Sequence, residues 1–313
     1  MDQASTLRQI VNDRKANDPA FSGDRGRMRV IAITSGKGGV GKTNVVLNLS
    51  IALAKRNRRV FLLDGDMGLA NVDVLLGLTP KFTLEHVLKG QKGINEVVLE
   101  GPFGLKVLPS SSGMSELSEM TFEQQMFLFQ QLSQLDDQID YLFIDTGAGV
   151  SSNVLRFDAS ANEIIVVATA EPTSITDAYA LMKLLSIKYH IREFGLVANS
   201  VQSEAEGLGV FNRLNAACRQ FLQVNLNFLG SVPFDTAIRK AVRQQRAILD
   251  LYPNSPSAKS IARLAVVLDE QPASAQASAL RSGPAGQSGS ANGGAAAPPQ
   301  SFWDRLLHWK KVK

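Results

Sequence analysis

Arg29-Val30-Ile31-Ala32-Ile33-Thr34-Ser35-Gly36-Lys37-Gly38-Gly39-Val40-Gly41-Lys42-Thr43-Asn44 begins as an apolar run, passes through four glycines and ends in helix-forming sequence. Residues 36–43 fit G-x-x-x-x-G-K-[ST], and a strand before and a helix after give that short pattern its meaning. Gly36, Gly38, Gly39 and Gly41 let successive backbone N–H groups turn inward around phosphate oxygens, and the helix that follows adds the positive end of its dipole. Residues Gly36 to Asn44, Val40 included, are therefore the candidate phosphate cradle. Lys42 is placed to reach β- and γ-phosphates, and the Thr43 hydroxyl to ligate Mg²⁺. The plainer reading is a glycine-rich turn that binds nothing.

Outward from this loop, continuous apolar runs recur at 60–64, 105–109, 141–145, 163–169, 194–199 and 227–232. Unbroken hydrophobicity means strands covered on both faces. Helix-like periods fall at 43–55, 115–134, 174–189, 209–222, 235–244 and 257–268. The alternation predicts an α/β fold, a mostly parallel central sheet with helices on both faces. The 313 residues divide into an N-terminal helix and connector (1–27), this core (28–270), a linker (271–300) and a terminal helix (301–313). The first piece carries Leu7, Ile10, Val11 and Arg14 at helical spacing. The linker is Ala, Ser, Gly, Pro and Gln with one large aliphatic residue, Leu280, too little to offset its ordering entropy.

Lys37, two places after the first glycine, completes K-G-G-x-G-K-T and resembles the deviant phosphate loop of the MinD/ParA family of ATPases. The resemblance implies a P-loop NTPase fold, ATP with Mg²⁺, and an ATP-bound homodimer in which Lys37 crosses to the partner's phosphates. The alternative for Lys37 is a solvated loop charge. Asp64-Gly65-Asp66-Met67-Gly68-Leu69-Ala70-Asn71 is similar to the family's D-x-D-x-G-x-x-N segment. That likeness implies Asp66 acting on the attacking water, Asp64 supporting the Mg²⁺ shell and Asn71 near the dimer contact. Asp145 ends an apolar strand where a Walker B carboxylate would meet the metal. Asn199 and the run Val232-Pro233-Phe234-Asp235 stand where the family contacts adenine, although Asn and Pro at strand ends are also ordinary turn chemistry. Glu171 opens a segment that the family uses at the dimer or partner surface; Ser174 and Asp177 within it are spaced to cap a helix.

The two ends add further expectations. Residues 301–313 hold both tryptophans, and Phe302, Trp303, Leu306, Leu307 and Trp309 gather on one arc of a helical wheel with Lys310 among the flanking cations. The composition suits an anionic membrane interface, and two copies joined by ATP would bind by avidity. Docking on the core or a protein is the alternative. Asp2-Gln3-Ala4-Ser5-Thr6-Leu7-Arg8 resembles the D-Q-A-x-x-L-R element of the FlhG (FleN/YlxH) family of flagellar regulators. In that family Asp2, Gln3, Ala4, Leu7 and Arg8 would contact and activate the GTPase FlhF. Flagellar switch proteins and the flagellar transcription regulator are further partners the resemblance implies.

Composition limits the competing readings. The formal charge is +4, but residues 301–313 carry four cations against Asp304, and Arg281 is the sole charge in 271–300. The core is thus neutral overall, which argues against a ParA-type DNA partition protein with its nonspecific phosphate contacts. One cysteine, Cys218, excludes the iron–sulfur carriers of the superfamily. With no charged-then-apolar leader and no apolar stretch near ~20 residues, the expected place is the cytoplasm, peripheral on the inner membrane face and at a cell pole. A division-site MinD-type ATPase is the nearest rival, separated by residues 1–8. A nucleotide-holding scaffold without catalysis is a third reading, and a metabolite-transferring relative would need a pocket that sequence cannot reveal.

Overall fold

The computed structural model describes residues 28–66, 71–110, 121–133, 135 and 138–270. The N-terminal helix and its 2–8 motif, the linker and the amphipathic segment lie outside the described residues. In chain order the elements are β1 (Arg29–Ser35), α1 (Lys42–Ala54), β2 (Val60–Gly65), α2 (Val72–Leu76), α3 (Leu84–Leu88), α4 (Ile94–Val97), β3 (Leu99–Glu100) and β4 (Lys106–Leu108). There follow α5 (Phe122–Ser133), β5 (Tyr141–Ala148), α6 (Ser152–Ser160), β6 (Glu163–Ala168), α7 (Pro172–Tyr189), β7 (Glu193–Val201), α8 (Glu204–Phe221), β8 (Asn225–Pro233), α9 (Thr236–Arg243), α10 (Ile248–Leu251) and α11 (Pro256–Glu270).

The strands form one eight-stranded sheet in the order β3-β4-β2-β5-β1-β6-β7-β8. Only β3 runs antiparallel, against β4; the other neighbours are parallel. All seven residues of β1 are buried. Ile31 and Ile33 pack with α1 and α11 on one face, where Leu47, Ile51 and Leu264 also lie. Val30 and Ala32 face the other side with Phe61, Ile144 and Phe157. A strand clothed on both faces is what its continuous apolar sequence required.

The order of connection reverses at β1, which lies between β5 and β6, so a crevice opens beyond the carboxyl ends of these central strands. The register sets Ile33 beside Asp145 and Asp145 beside Asp64, bringing the phosphate loop and two carboxylates to one crevice; β5 runs on past Asp145, where its apolar run stops, to Ala148.

Several local expectations are corrected. Ser174 does not cap α7: the helix begins at Pro172 with Glu171 as its N-cap, and Ser174, buried, accepts the Thr169 N–H at 3.0 Å. Within the described part of 115–134 the helix begins at Phe122, behind Thr121, whose hydroxyl accepts from the Gln124 N–H. Helix α8 starts at Glu204, earlier than its periodicity implied, because Ser203 accepts the Glu206 N–H and caps it. Helices α2, α3, α4, α6 and α10 and strand β3 were not anticipated; each is short, with too few turns for a period to show.

Candidate active site

The loop between β1 and α1 needs its glycines for separate reasons. Gly39 and Gly41 hold φ of 80° and 84°, left-handed values that favour glycine. A Cβ on Gly36 would overlap the backbone of Asp177 and Ala178, so the loop rests directly on α7. A Cβ on Gly41 would strike the Asn199 amide. That amide donates to the Val40 carbonyl at 2.7 Å. Asn199 thus braces the loop as well as standing at the candidate adenine wall.

Lys42 and Asp145 form a buried ion pair at 2.5 Å. Burial pushes the Asp145 carboxyl above its ordinary range, against the opposing pull of Lys42 and of the Thr43 hydroxyl. Its second oxygen, Oδ2, is buried with no hydrogen-bond partner among the described residues. Asp64 accepts N–H groups from Asp66 at 3.1 Å, Asn71 at 3.1 Å and Val72 at 3.3 Å. Burial and the nearby Asp145 nevertheless push it up to about 7. The Asp66 carboxyl lies against Gly147, within ordinary contact distance of a Cβ there, at 3.9 Å from Asp66 Oδ1. The Ser110 hydroxyl holds the Asp66 carbonyl at 3.2 Å.

These donors fit a magnesium ion. An unpaired buried carboxylate oxygen beside a threonine hydroxyl and a second carboxylate offers hard oxygen ligands only. Among the described residues no group of three His, Cys, Asp or Glu gathers as a metal cage. The single cysteine is buried, and burial raises its thiol to about 11.

Lys37 takes a different position from Lys42. It lies exposed at the loop's rim, donating to Glu171 Oε2 at 2.8 Å and Thr173 Oγ1 at 2.9 Å. Asn71 is exposed at the N-terminus of α2. The candidate adenine residues separate. Phe234 is exposed, with the Arg239 guanidinium 5.6 Å from its ring centre, and Pro233 ends β8 beside it. Asp235 is spent on structure: it caps α9 through the Ala237 N–H and accepts from the Ser257 hydroxyl, both at 2.8 Å. Although burial opposes it, these donors hold the Asp235 carboxyl below its usual range.

Sequence reading missed Thr173, Ser110 and Asp158. Thr173 could have been found as the polar neighbour of Glu171; the other two reach the site only through the fold. Asp158, on α6, is fully buried behind the site, near the Thr34 and Thr146 hydroxyls.

A family model described as ParA, NUBPL iron-transfer P-loop NTPase, matches residues 27–268. The chain is 44% identical over 245 residues to Antiactivator FleN of Pseudomonas aeruginosa, covering 78% of this chain and 88% of that one. It is 33% identical over 267 residues to the flagellum site-determining protein YlxH of Helicobacter pylori, covering 85% and 90%. The crystal structure of the cell division ATPase MinD of Pyrococcus furiosus superposes with a TM-score of 0.65 at 28% identity, covering 77% of this chain and 98% of that one.

Proposed function

The chain belongs to the ParA/MinD family of P-loop ATPases, and on that premise we propose that it is an ATP-dependent dimerising switch governing the number and placement of flagella. The observation that carries the switch is the contrast between two lysines of one loop. Lys42 is buried on Asp145, inside its own site. Lys37 stands at the rim on an exposed carboxylate, turned to Glu171. A cation in that place can be lent to the triphosphate of a second subunit, the physical device of an arginine finger.

In this reading the loop N–H groups and Lys42 hold the β- and γ-phosphates, Thr43, Asp64 and Asp145 hold Mg²⁺, and Asp66 orients the attacking water. Mg²⁺ would neutralise charge that develops on the β- and γ-phosphates. Hydrolysis is slow, because the useful output is the lifetime of the dimer. The flagellar assignment is supported by the FleN and YlxH likeness and by the motif at 2–8, which would stimulate FlhF. No helix of the described residues is long and apolar enough to cross a membrane; reversible attachment through 301–313, doubled in the dimer, is the proposed alternative.

Liposome sedimentation with ATP, ADP or no nucleotide tests the switch in wild type, Lys37→Ala and a truncation after Gln300. ATP should drive wild type alone onto anionic vesicles; equal binding with ADP removes the avidity scheme. Solitary species under a saturating nonhydrolysable analogue in ultracentrifugation remove the dimer. A peptide of residues 1–20 that leaves the GTPase rate of FlhF unchanged removes that partner.

A further inference from the structure

β8 is the edge of the sheet: β7 pairs along one side, and no strand among the described residues takes the other. Beside its C-terminal half, the start of α8 and the flank of α11 bound a groove of about 620 Å³. Its walls include Ser203 and Glu204 on one side and Pro256, Lys259, Ser260 and Arg263 on the other. Strand addition is discouraged here, because the β7–β8 register shifts near Gly230 and Pro233 has no N–H to offer. A ligand must therefore be read by side chains.

The charges point to its chemistry. Lys259 and Arg263 are both exposed, and among the described residues neither forms an ion pair. The Arg263 guanidinium donates to the Ser260 hydroxyl at 3.2 Å, which keeps it on the groove wall. The two cations stand one helical turn apart, about 6 Å along α11. Alternate side chains of an extended chain share a face and are spaced about 6.6 Å, so acids at i and i+2 match the pair. The residue between them turns toward Glu204, which repels a third acid and tolerates a neutral side chain.

We propose that this groove binds an extended acidic segment of a partner protein, with carboxylates at alternate positions seated on Lys259 and Arg263 and an uncharged residue between them. The proposal stands apart from the switch: the groove shares only Pro233 with the candidate nucleotide residues.

Fluorescence anisotropy of the full chain tests it with three labelled heptapeptides whose cores are Glu-Val-Glu, Glu-Val-Val-Glu and Lys-Val-Lys. The first should bind saturably, about fivefold tighter than the second, while the third should not bind. The double variant Lys259→Glu, Arg263→Glu should weaken the first about tenfold or more. Both side chains are exposed, so the fold should persist, and an unchanged titration with a fluorescent ADP analogue verifies that the variant is intact. Equal affinity for the three peptides, no loss in the intact variant, or no saturable binding up to about 1 mM overturns the proposal.

Discussion

Lys42 Nζ lies 2.5 Å from Asp145 Oδ1, and both side chains are almost wholly buried. Each group is the other's placeholder: phosphate would take over the lysine and the metal shell the carboxylate. Removing one partner leaves a buried charge without compensation, which typically costs about 3–5 kcal/mol. Asp145→Ala should therefore melt well below wild type without nucleotide. Because ADP brings a replacement anion, ADP in EDTA should raise the melting midpoint more in the variant than in wild type. Calorimetry showing an equal or smaller rise would mean the phosphates do not take over Lys42.

Lys37 rests on Glu171, but that pair is exposed and worth about 0–1 kcal/mol. The lysine is thus lightly held and can leave at little cost. Glu171→Gln should alter the ATP-dependent dimer constant by no more than about fivefold, whereas Lys37→Ala should abolish both dimer and single-turnover hydrolysis. A Glu171→Gln chain unable to dimerise would show that the carboxylate acts in the dimer itself.

The legible parts of the site share one property, that their physics is local. Gly39 and Gly41 announce a loop with left-handed backbone because other residues resist it, and Asp64 and Asp145 announce themselves as the polar residues that close apolar runs, although β5 itself continues past Asp145 to Ala148. Ser174 misled because cap spacing does not show that its hydroxyl is already taken by the Thr169 N–H, which bends back from the end of β6. Gly36 looked like a phosphate contact, yet what forbids a side chain there is α7, which begins well over a hundred residues later in the chain. Asn199 and Asp235 were readable as strand-end polar groups, but their bonds to Val40 and Ser257 depend on packing between distant segments.

Asp158 gives a pH test. Burial raises its carboxyl to about 7, and the Thr34 and Thr146 hydroxyls and the Lys42 charge offset only part of that. A carboxyl raised above its unfolded value contributes stability that is fully present below the unfolded value and lost as pH climbs through about 7. Wild type should lose up to about 1.4 kcal/mol per pH unit between the unfolded value, about 4, and about 7 relative to Asp158→Asn, which carries no ionisable group there, and the difference should level off above about 7. Asp64, also near 7, is present in both proteins and cancels in the difference. Urea unfolding at pH 5.5, 7 and 8.5 measures it, and parallel curves for the two proteins would show that Asp158 does not titrate in this range.

Gly36→Ala isolates the seating of the phosphate loop on α7. The added methyl would meet the backbone carbonyl of Asp177 and the amide nitrogen of Ala178, atoms with no rotamer to yield. Either the loop lifts or the start of α7 moves, and overpacking of this kind costs about 1–3 kcal/mol. Since α7 begins at Pro172, directly after Glu171, the displacement would also carry away the resting place of Lys37. The variant should lose both nucleotide affinity and ATP-dependent dimerisation. Gly38→Ala is the control, because a Cβ there meets nothing nearer than the Ala148 methyl at 4.0 Å; it should keep its stability. Equal melting temperatures and equal ADP affinity for Gly36→Ala and wild type would mean that the loop does not rest on α7.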